Sequence, residues 1–493
     1  MNQPPANKHQ NPFLSGNWAP LSPSSITSAD GVPAKCIRGN IPNDLCGSFL
    51  RVGPSLSPKQ NIDTNSYHLF AGDGFIAGLE FNNGGVIQRC RWIDAPSGMG
   101  AGNTAMVYHS SRLLTLSEGS KPYEVALPTC ETIGMYDFNQ ELMHNVTAHP
   151  KVCAETNELI FFGYSFGEND LRYTVASENG TIAKTTNSVL IPFRQPVFAP
   201  TPHDIAITRH YSIFLDFPLW DMAGATKIED GSLFGVIPRH PYASSAPIWF
   251  RDKGQFGYHV ANAYESQDKK MITLFMCTGI NFDFRSSNKK NMLLRQWKLD
   301  MSSTNTRNHS SKGTQTNPIL TKGNVICDIP CEFPVIDKRR TGLSFQYIWA
   351  SCLSQRRHAA PLACDAILRH DVTSSVSTKT TLPKGYFCGE VRFVPSRKKD
   401  LTRGGEGEGY LVLLAHDPNL VSYALVYDAL FECDSKPIAV VELSIRVPNG
   451  FHALWVDYEQ YDDGANTKNN SNKMVVHGSD DDHDGEETKR SRL

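Results

Sequence analysis

A large closed or radial all-β structure, such as a propeller, is the fold class that this 493-residue sequence predicts. Two observations carry it. Short apolar runs recur along the chain, rich in β-branched and aromatic residues and bounded by Gly, Pro, Asn or Asp, which is the pattern of buried strands. Long amphipathic helical patterns are scarce, so the strands do not alternate with helices as a parallel α/β sheet would require.

From the N-terminus, residues 1–33 are rich in Pro, Ser and Asn with little periodicity and are expected to be flexible unless docked. Residues 34–458 read as a single propeller domain. They carry the runs Leu159-Ile160-Phe161-Phe162, Ile213-Phe214-Leu215, Ile272-Thr273-Leu274-Phe275-Met276, Leu411-Val412-Leu413-Leu414 and Ile438-Ala439-Val440-Val441. Within them, 302–318 (SSTNTRNHSSKGTQTNP) is poor in apolar residues and reads as a surface insertion between strands. Residues 459–493 form an acidic tail, expected to be disordered, whose His477 and His483 are read as solvated.

Hydrophobic residues at 40% and charged residues at 20% exclude disorder as the dominant state. The balance of 48 Lys and Arg against 50 Asp and Glu, a formal charge of −2, gives no reason to expect a nucleic-acid partner. The polar N-terminus has no apolar core of a signal peptide, and no stretch approaches the ~18 apolar residues of a membrane-spanning helix. An intracellular, cytoplasmic protein is expected. Its last residues, Ser491-Arg492-Leu493, resemble a peroxisomal import address. The 12 cysteines form no CxxC pair, and the C-x3-C of Cys327 and Cys331 lacks the second pair a thiolate zinc site needs, so reduced structural thiols are expected.

Of the 16 histidines, four lie beside strand-like runs in similar company: His149, His203, His259 and His452. The first three are separated by 54 and 56 residues, close to one repeat unit each, so that a radial repeat would aim them at one axis. The same spacing is also compatible with chance. No Ser-His-Asp or Gly-x-Ser-x-Gly pattern competes for a catalytic role.

At these residues the chain resembles the carotenoid cleavage oxygenases, a non-haem iron family whose members cleave carotenoids, apocarotenoids and stilbenes. The resemblance runs in order from Gly16 to about Asp457. It includes Gly16-Asn17-Trp18-Ala19-Pro20, the stretch Gly39 to Pro54, Phe234-Gly235-Val236-Ile237-Pro238-Arg239 and Val447-Pro448-Asn449-Gly450-Phe451-His452. His68-Leu69-Phe70-Ala71-Gly72-Asp73-Gly74-Phe75 is similar to the family's His-Trp-Phe-Asp-Gly-Asp-Gly-Met with three substitutions. The resemblance implies a seven-bladed β-propeller with an arch of loops and helix over the iron-containing face.

It further implies that His149, His203, His259 and His452 bind one Fe(II), leaving coordination positions for dioxygen. Glutamates that accept hydrogen bonds from these imidazoles match Glu118, Glu332 and Glu406. At the last, the family's Glu-Asp-Asp-Gly has become Glu406-Gly407-Glu408-Gly409, which makes Glu408 a near rival. In the stilbene-cleaving branch a Lys and a Tyr bind the substrate phenol. Here those positions align with Ser117 and near Gln88, which favours a polyene.

The implied activity is dioxygenase cleavage of one C=C bond of a carotenoid or apocarotenoid, with a small apolar alkene and O2 as partners. Cleavage of a stilbene, another aryl alkene or a specialised terpenoid, iron-dependent isomerisation, and a non-catalytic propeller that binds partners on its rim remain alternatives. Relatives with water-insoluble substrates dock peripherally on membranes, and Phe217-Pro218-Leu219-Trp220-Asp221-Met222-Ala223 is the corresponding candidate patch.

Overall fold

A computed structural model describes residues 11–460 except 12–13, 23–25, 29, 58, 61–66, 68, 97–99, 166–167, 184–188, 194–201, 218–230, 242–244, 280–291, 305–317, 357–361 and 398–405. Outside the described residues lie His68, most of the insertion, residues 218–223 of the apolar patch, and the tail with His477, His483 and Ser491-Arg492-Leu493. Phe217, at the start of that patch, is buried edge-on against Phe234 at 5.2 Å between ring centroids.

The chain is all-β, as expected. Helical structure among the described residues is confined to 3-10 turns such as Gly16–Trp18, Leu69–Ala71 and Lys338–Arg340, and to a helical start at 458–460. Four sheets are separate antiparallel meanders in chain order. They run from Ala105–His109 to Thr132–Met135, Lys151–Val152 to Val189–Pro192, Ile205–Ile207 to Ile248–Asp252, and Val260–Glu265 to Leu293–Asp300. The third gains Ile319–Leu320 in parallel, and the fourth gains Asn324–Cys327.

The other strands form one 13-stranded sheet in which three further meanders are joined edge to edge. A single pair, Cys364 with Cys388, couples the meander Cys331–Thr381 to the next. Val32–Gly39 then bonds Ala439–Glu442 on one side and Gly85–Trp92 on the other. The last strand, Ala453–Asp457, pairs with Gly47–Ser55 near the start of the chain. Closing the chain ends on each other covers edges that would otherwise invite intermolecular pairing.

The apolar runs are unbroken because the sheets pack face to face, so strands such as Leu159–Gly163 and Gly47–Ser55 are buried on both faces. Aromatic side chains fill the space between sheets. Phe162 of the second sheet meets Phe214 of the third, and Phe234 of the third meets Trp297 of the fourth at 5.4 Å. Polar cross-links supplement them: the fully buried Tyr173 hydroxyl pairs with Ser212 Oγ at 2.8 Å and donates to the Arg239 carbonyl at 2.9 Å, tying the second sheet to the third. Tyr173→Phe leaves that carbonyl short of a partner and is expected to cost about 1–3 kcal/mol. The check is a lower urea midpoint with an unchanged slope.

The N-terminal segment expected to be flexible is docked in part. Trp18 and Leu21 are buried, and Asn17 Nδ2 donates to the Val447 carbonyl and to Asn449 Oδ1. Beyond residue 17 the isolated Trp supplies the reason, since its ring packs with Phe451 and Tyr67 in one small apolar cluster.

Candidate metal centre

The four histidines converge. Each offers one ring nitrogen, and these atoms all lie within 4.8 Å of one another. Among the described residues this is the one such group of metal-ligating side chains. Each side chain arrives from a turn or strand end rather than from a strand interior. His149 forms an isolated parallel bridge with Asp204, beside His203, and His259 and His452 precede the strands Val260–Glu265 and Ala453–Asp457. Burial, compounded by the three neighbouring imidazoles and Lys151, holds His149 well below the ordinary imidazole range. Its ring is neutral, the form that ligates a metal.

Three of the rings are backed by glutamates. His203 Nδ1 lies 2.7 Å from Glu118 Oε1, and His259 Nδ1 lies 2.7 Å from Glu332 Oε2. The third glutamate is Glu390, not Glu406. Its Oε1 is 3.3 Å from His452 Nδ1, while Oε2 accepts from the Ala453 amide. Glu406 instead accepts from the Gln346 amide at 2.6 Å and faces Arg340 at 3.4 Å. The physical reason is a register shift between Cys388 and Val391, which turns Glu390 out of the strand ladder toward His452. A similar shift at Glu332 aims that side chain at His259. Burial alone would raise the carboxyls of Glu118 and Glu390, but His203 for the former and Arg392 with His452 for the latter outweigh it, and both lie below the usual range.

Asp204, absent from the expected set, braces the centre. Its carboxylate accepts from the amides of Ile205 and Val260 at 2.7 and 2.8 Å and pairs with Lys151 at 2.7 Å, so it holds the turns that carry His149, His203 and His259. Thr147 adds to this by donating to the His203 carbonyl at 2.8 Å and accepting from the His149 amide at 3.2 Å. The signal for Asp204 was present in His203-Asp204, a charged residue directly before the apolar Ile205-Ala206-Ile207.

The residues fit a cation. Nδ1 of His259 donates to Glu332 at 2.7 Å and Nδ1 of His203 lies 2.7 Å from Glu118, so both rings turn Nε2 toward the centre, where the two atoms stand 3.2 Å apart and a cation would meet both. His149 Nε2 is buried without any hydrogen-bond partner, an omission that costs about 1–3 kcal/mol if nothing binds there.

Above the rings lies an apolar cavity whose walls include Phe70, Thr104, Tyr258, Phe333, Leu362 and Phe451. Burial raises the Tyr258 phenol, with Glu118 and Glu332 adding to the effect, so it stays protonated. Neither Ser117 nor Gln88 lines this cavity. Gln88 is fully buried elsewhere, clamping the Ile445 amide and carbonyl at 3.0 and 2.9 Å, so its alignment with a phenol-binding Tyr is not reproduced in space. All 12 cysteines are free, and Cys331 approaches Cys277 at 3.9 Å rather than forming a metal-binding pair with Cys327.

Comparison with known proteins adds three findings. The family described as retinal pigment epithelial membrane protein, RPE65, matches residues 23–457. Carotenoid 9,10(9′,10′)-cleavage dioxygenase 1 of Pisum sativum is 30% identical, covering 92% of this chain and 91% of its own length. Carotenoid cleavage oxygenase 1 of Neurospora crassa and isoeugenol monooxygenase of Pseudomonas putida are each 27% identical, covering 86% and 85% of this chain and 88% and 93% of their own lengths. Among solved structures, the lignostilbene dioxygenase of Pseudomonas brassicacearum superposes with a TM-score of 0.77 at 22% identity, over 91% of this chain and 99% of that one. The cobalt-substituted Synechocystis ACO structure gives 0.70 at 21%, over 88% and 99%. These two likenesses are likenesses of fold.

Proposed function

Because the chain belongs to the carotenoid cleavage oxygenase family, that of RPE65, we propose that it is a dioxygenase that cleaves one C=C bond of a carotenoid or apocarotenoid into two carbonyl products. The observation that carries this reading is the convergence of four imidazoles, three of which (His203, His259 and His452) line an apolar cavity. His149, His203, His259 and His452 would hold Fe(II). When bound, the iron supplies the redox chemistry that lets dioxygen react with an alkene.

The chain's own residues supply the rest. Glu118, Glu332 and Glu390 retain the Nδ1 protons of three ligands, fixing their tautomers and leaving Nε2 to the metal. The cavity walls exclude water and align an elongated apolar substrate. No nucleophile or proton relay is required, since both oxygen atoms of O2 end in the two carbonyls. A polyene is favoured over a phenolic stilbene because the described residues that line the cavity include no lysine. An aryl alkene is the second reading, favoured by the likeness to isoeugenol monooxygenase over 93% of that protein's length.

The test is aerobic incubation of the iron-loaded protein with β-carotene, a long apocarotenal, resveratrol and isoeugenol, read by liquid chromatography with mass detection. Apocarotenal fragments are expected. Aryl aldehydes alone would move the protein to the second reading, and survival of all four substrates with iron bound would overturn both.

A further inference from the structure

Behind the apolar cavity lies a second chamber of about 30 Å³, bounded in part by Trp18, Arg51, His416, Asn449, Phe333 and Leu362. Phe333 and Leu362 also line the apolar cavity, so they form a shared wall between the two. Both wall residues have left-handed backbones, with φ of 56° and 58°. Bulky side chains rarely adopt that conformation, and its cost of about 1–3 kcal/mol is characteristic of functional sites.

Beside its apolar walls the chamber presents three buried donor side chains. Arg51 is buried, and among the described residues its guanidinium donates only from Nη2, to the Pro448 carbonyl. Among the described residues no carboxylate pairs with it, and burial pushes its guanidinium down to about 10. Space is kept for this cation: a Cβ on Gly389 would stand 3.3 Å from Nη1, and one on Gly450 3.2 Å from Nε. A buried cation without a counter-ion is costly, which points to a ligand that supplies the missing acceptor. Trp18 Nε1 is a second donor, buried with no partner among the described residues, on a residue that is only 6% exposed.

His416 is a third. Asn17 Nδ2 donates to its Nδ1 at 3.1 Å, and burial, helped by Arg51, holds the ring down to about 4. The ring is therefore neutral and carries its proton on Nε2.

We propose that this chamber is the subsite for one oxygen-bearing end of the alkene substrate, a carbonyl or carboxylate whose acceptor atoms face Arg51 and Trp18. Three donors suit those groups, which bring acceptor atoms and no competing proton. Phe333 and Leu362 must part for the terminus to pass, and their strained backbones are where that movement is stored. The inference rests on the reading of the cavity as an alkene site, and narrows the substrate class from polyenes in general to oxygen-terminated ones.

The test uses the iron-loaded full chain under anaerobic conditions, so that binding is measured without turnover. A matched apocarotenal, its apocarotenoic acid and the corresponding hydrocarbon are titrated, following polyene absorption. The wild type is expected to bind aldehyde and acid at least roughly 10-fold more tightly than the hydrocarbon. Trp18→Phe, which keeps the ring and removes the donor, is expected to shrink that preference roughly 3- to 10-fold, one neutral hydrogen bond, while leaving hydrocarbon affinity unchanged. Arg51→Gln is expected to weaken the acid more than the aldehyde. Should Arg51→Gln not fold, Trp18→Phe decides alone.

Equal affinities for the three ligands in the wild type, or an unchanged preference in Trp18→Phe, overturns the subsite. A preference without any cleavage by the iron-loaded enzyme would overturn the functional reading and leave the subsite standing. Cleavage without a preference would do the reverse.

Discussion

His259→Ala is expected to purify without iron and to cleave no alkene. The loss has two parts. One ring nitrogen of a four-nitrogen set disappears, and Glu332, only 3% exposed, is left as a buried carboxylate without its imidazole partner. Both effects fall on the metal, so the loss of iron affinity should exceed the ~10–100-fold typical of removing an outer hydrogen-bond partner. Iron per chain, measured by elemental analysis, is the readout. His144→Ala is the control, since His144 is also buried but bonds Thr174 and the Asn145 carbonyl away from the centre. It should retain full iron, and equal depletion in both variants would show that the cluster is not the metal site.

Glu390→Gln and Glu406→Gln separate the two candidates for the third glutamate. Glutamine keeps the size of the side chain but removes the charge that holds the His452 Nδ1 proton. At position 390 iron affinity is expected to fall by ~10–100-fold. At position 406 the change should be confined to stability, because that carboxylate serves the Gln346 amide and Arg340. Competition against a chromophoric chelator reads the affinity. The opposite order, with Glu406→Gln the weaker binder, would restore the assignment that the sequence motif suggested.

Much of the architecture was legible because local signals there agree with the tertiary outcome. Runs such as Leu159-Ile160-Phe161-Phe162 are strands buried on both faces, where unbroken hydrophobicity is what face-to-face packing demands. The histidines were legible as a group because successive sheets each deliver one, and the family's ordered motifs named them. Glu390 was not legible, because what aims it is a register shift inside Phe387–Pro395, and a bulge leaves no signature in residue type. Glu406 drew attention through a Gly-Glu-Gly run that resembles the motif but turns elsewhere. Docking of Trp18 and Asn17 depends on Phe451, Val447 and Asn449, more than 400 residues away in the chain, and local composition is blind to partners so distant.

The joining of three meanders into a 13-stranded sheet belongs to the same class. It hangs on the Cys364–Cys388 pair and on one strand, Val32–Gly39, that has neighbours on both sides.

The most direct test of the central claim is the fate of isotopically labelled dioxygen in a short incubation of the iron-loaded enzyme with an apocarotenal, the products being reduced at once to block exchange with water. Dioxygenase cleavage at the four-histidine centre predicts two carbonyl products, each carrying one labelled atom. Label in only one product would indicate a monooxygenase, and an unlabelled polyene of unchanged mass but altered retention would indicate an isomerase. Either outcome would contradict the account.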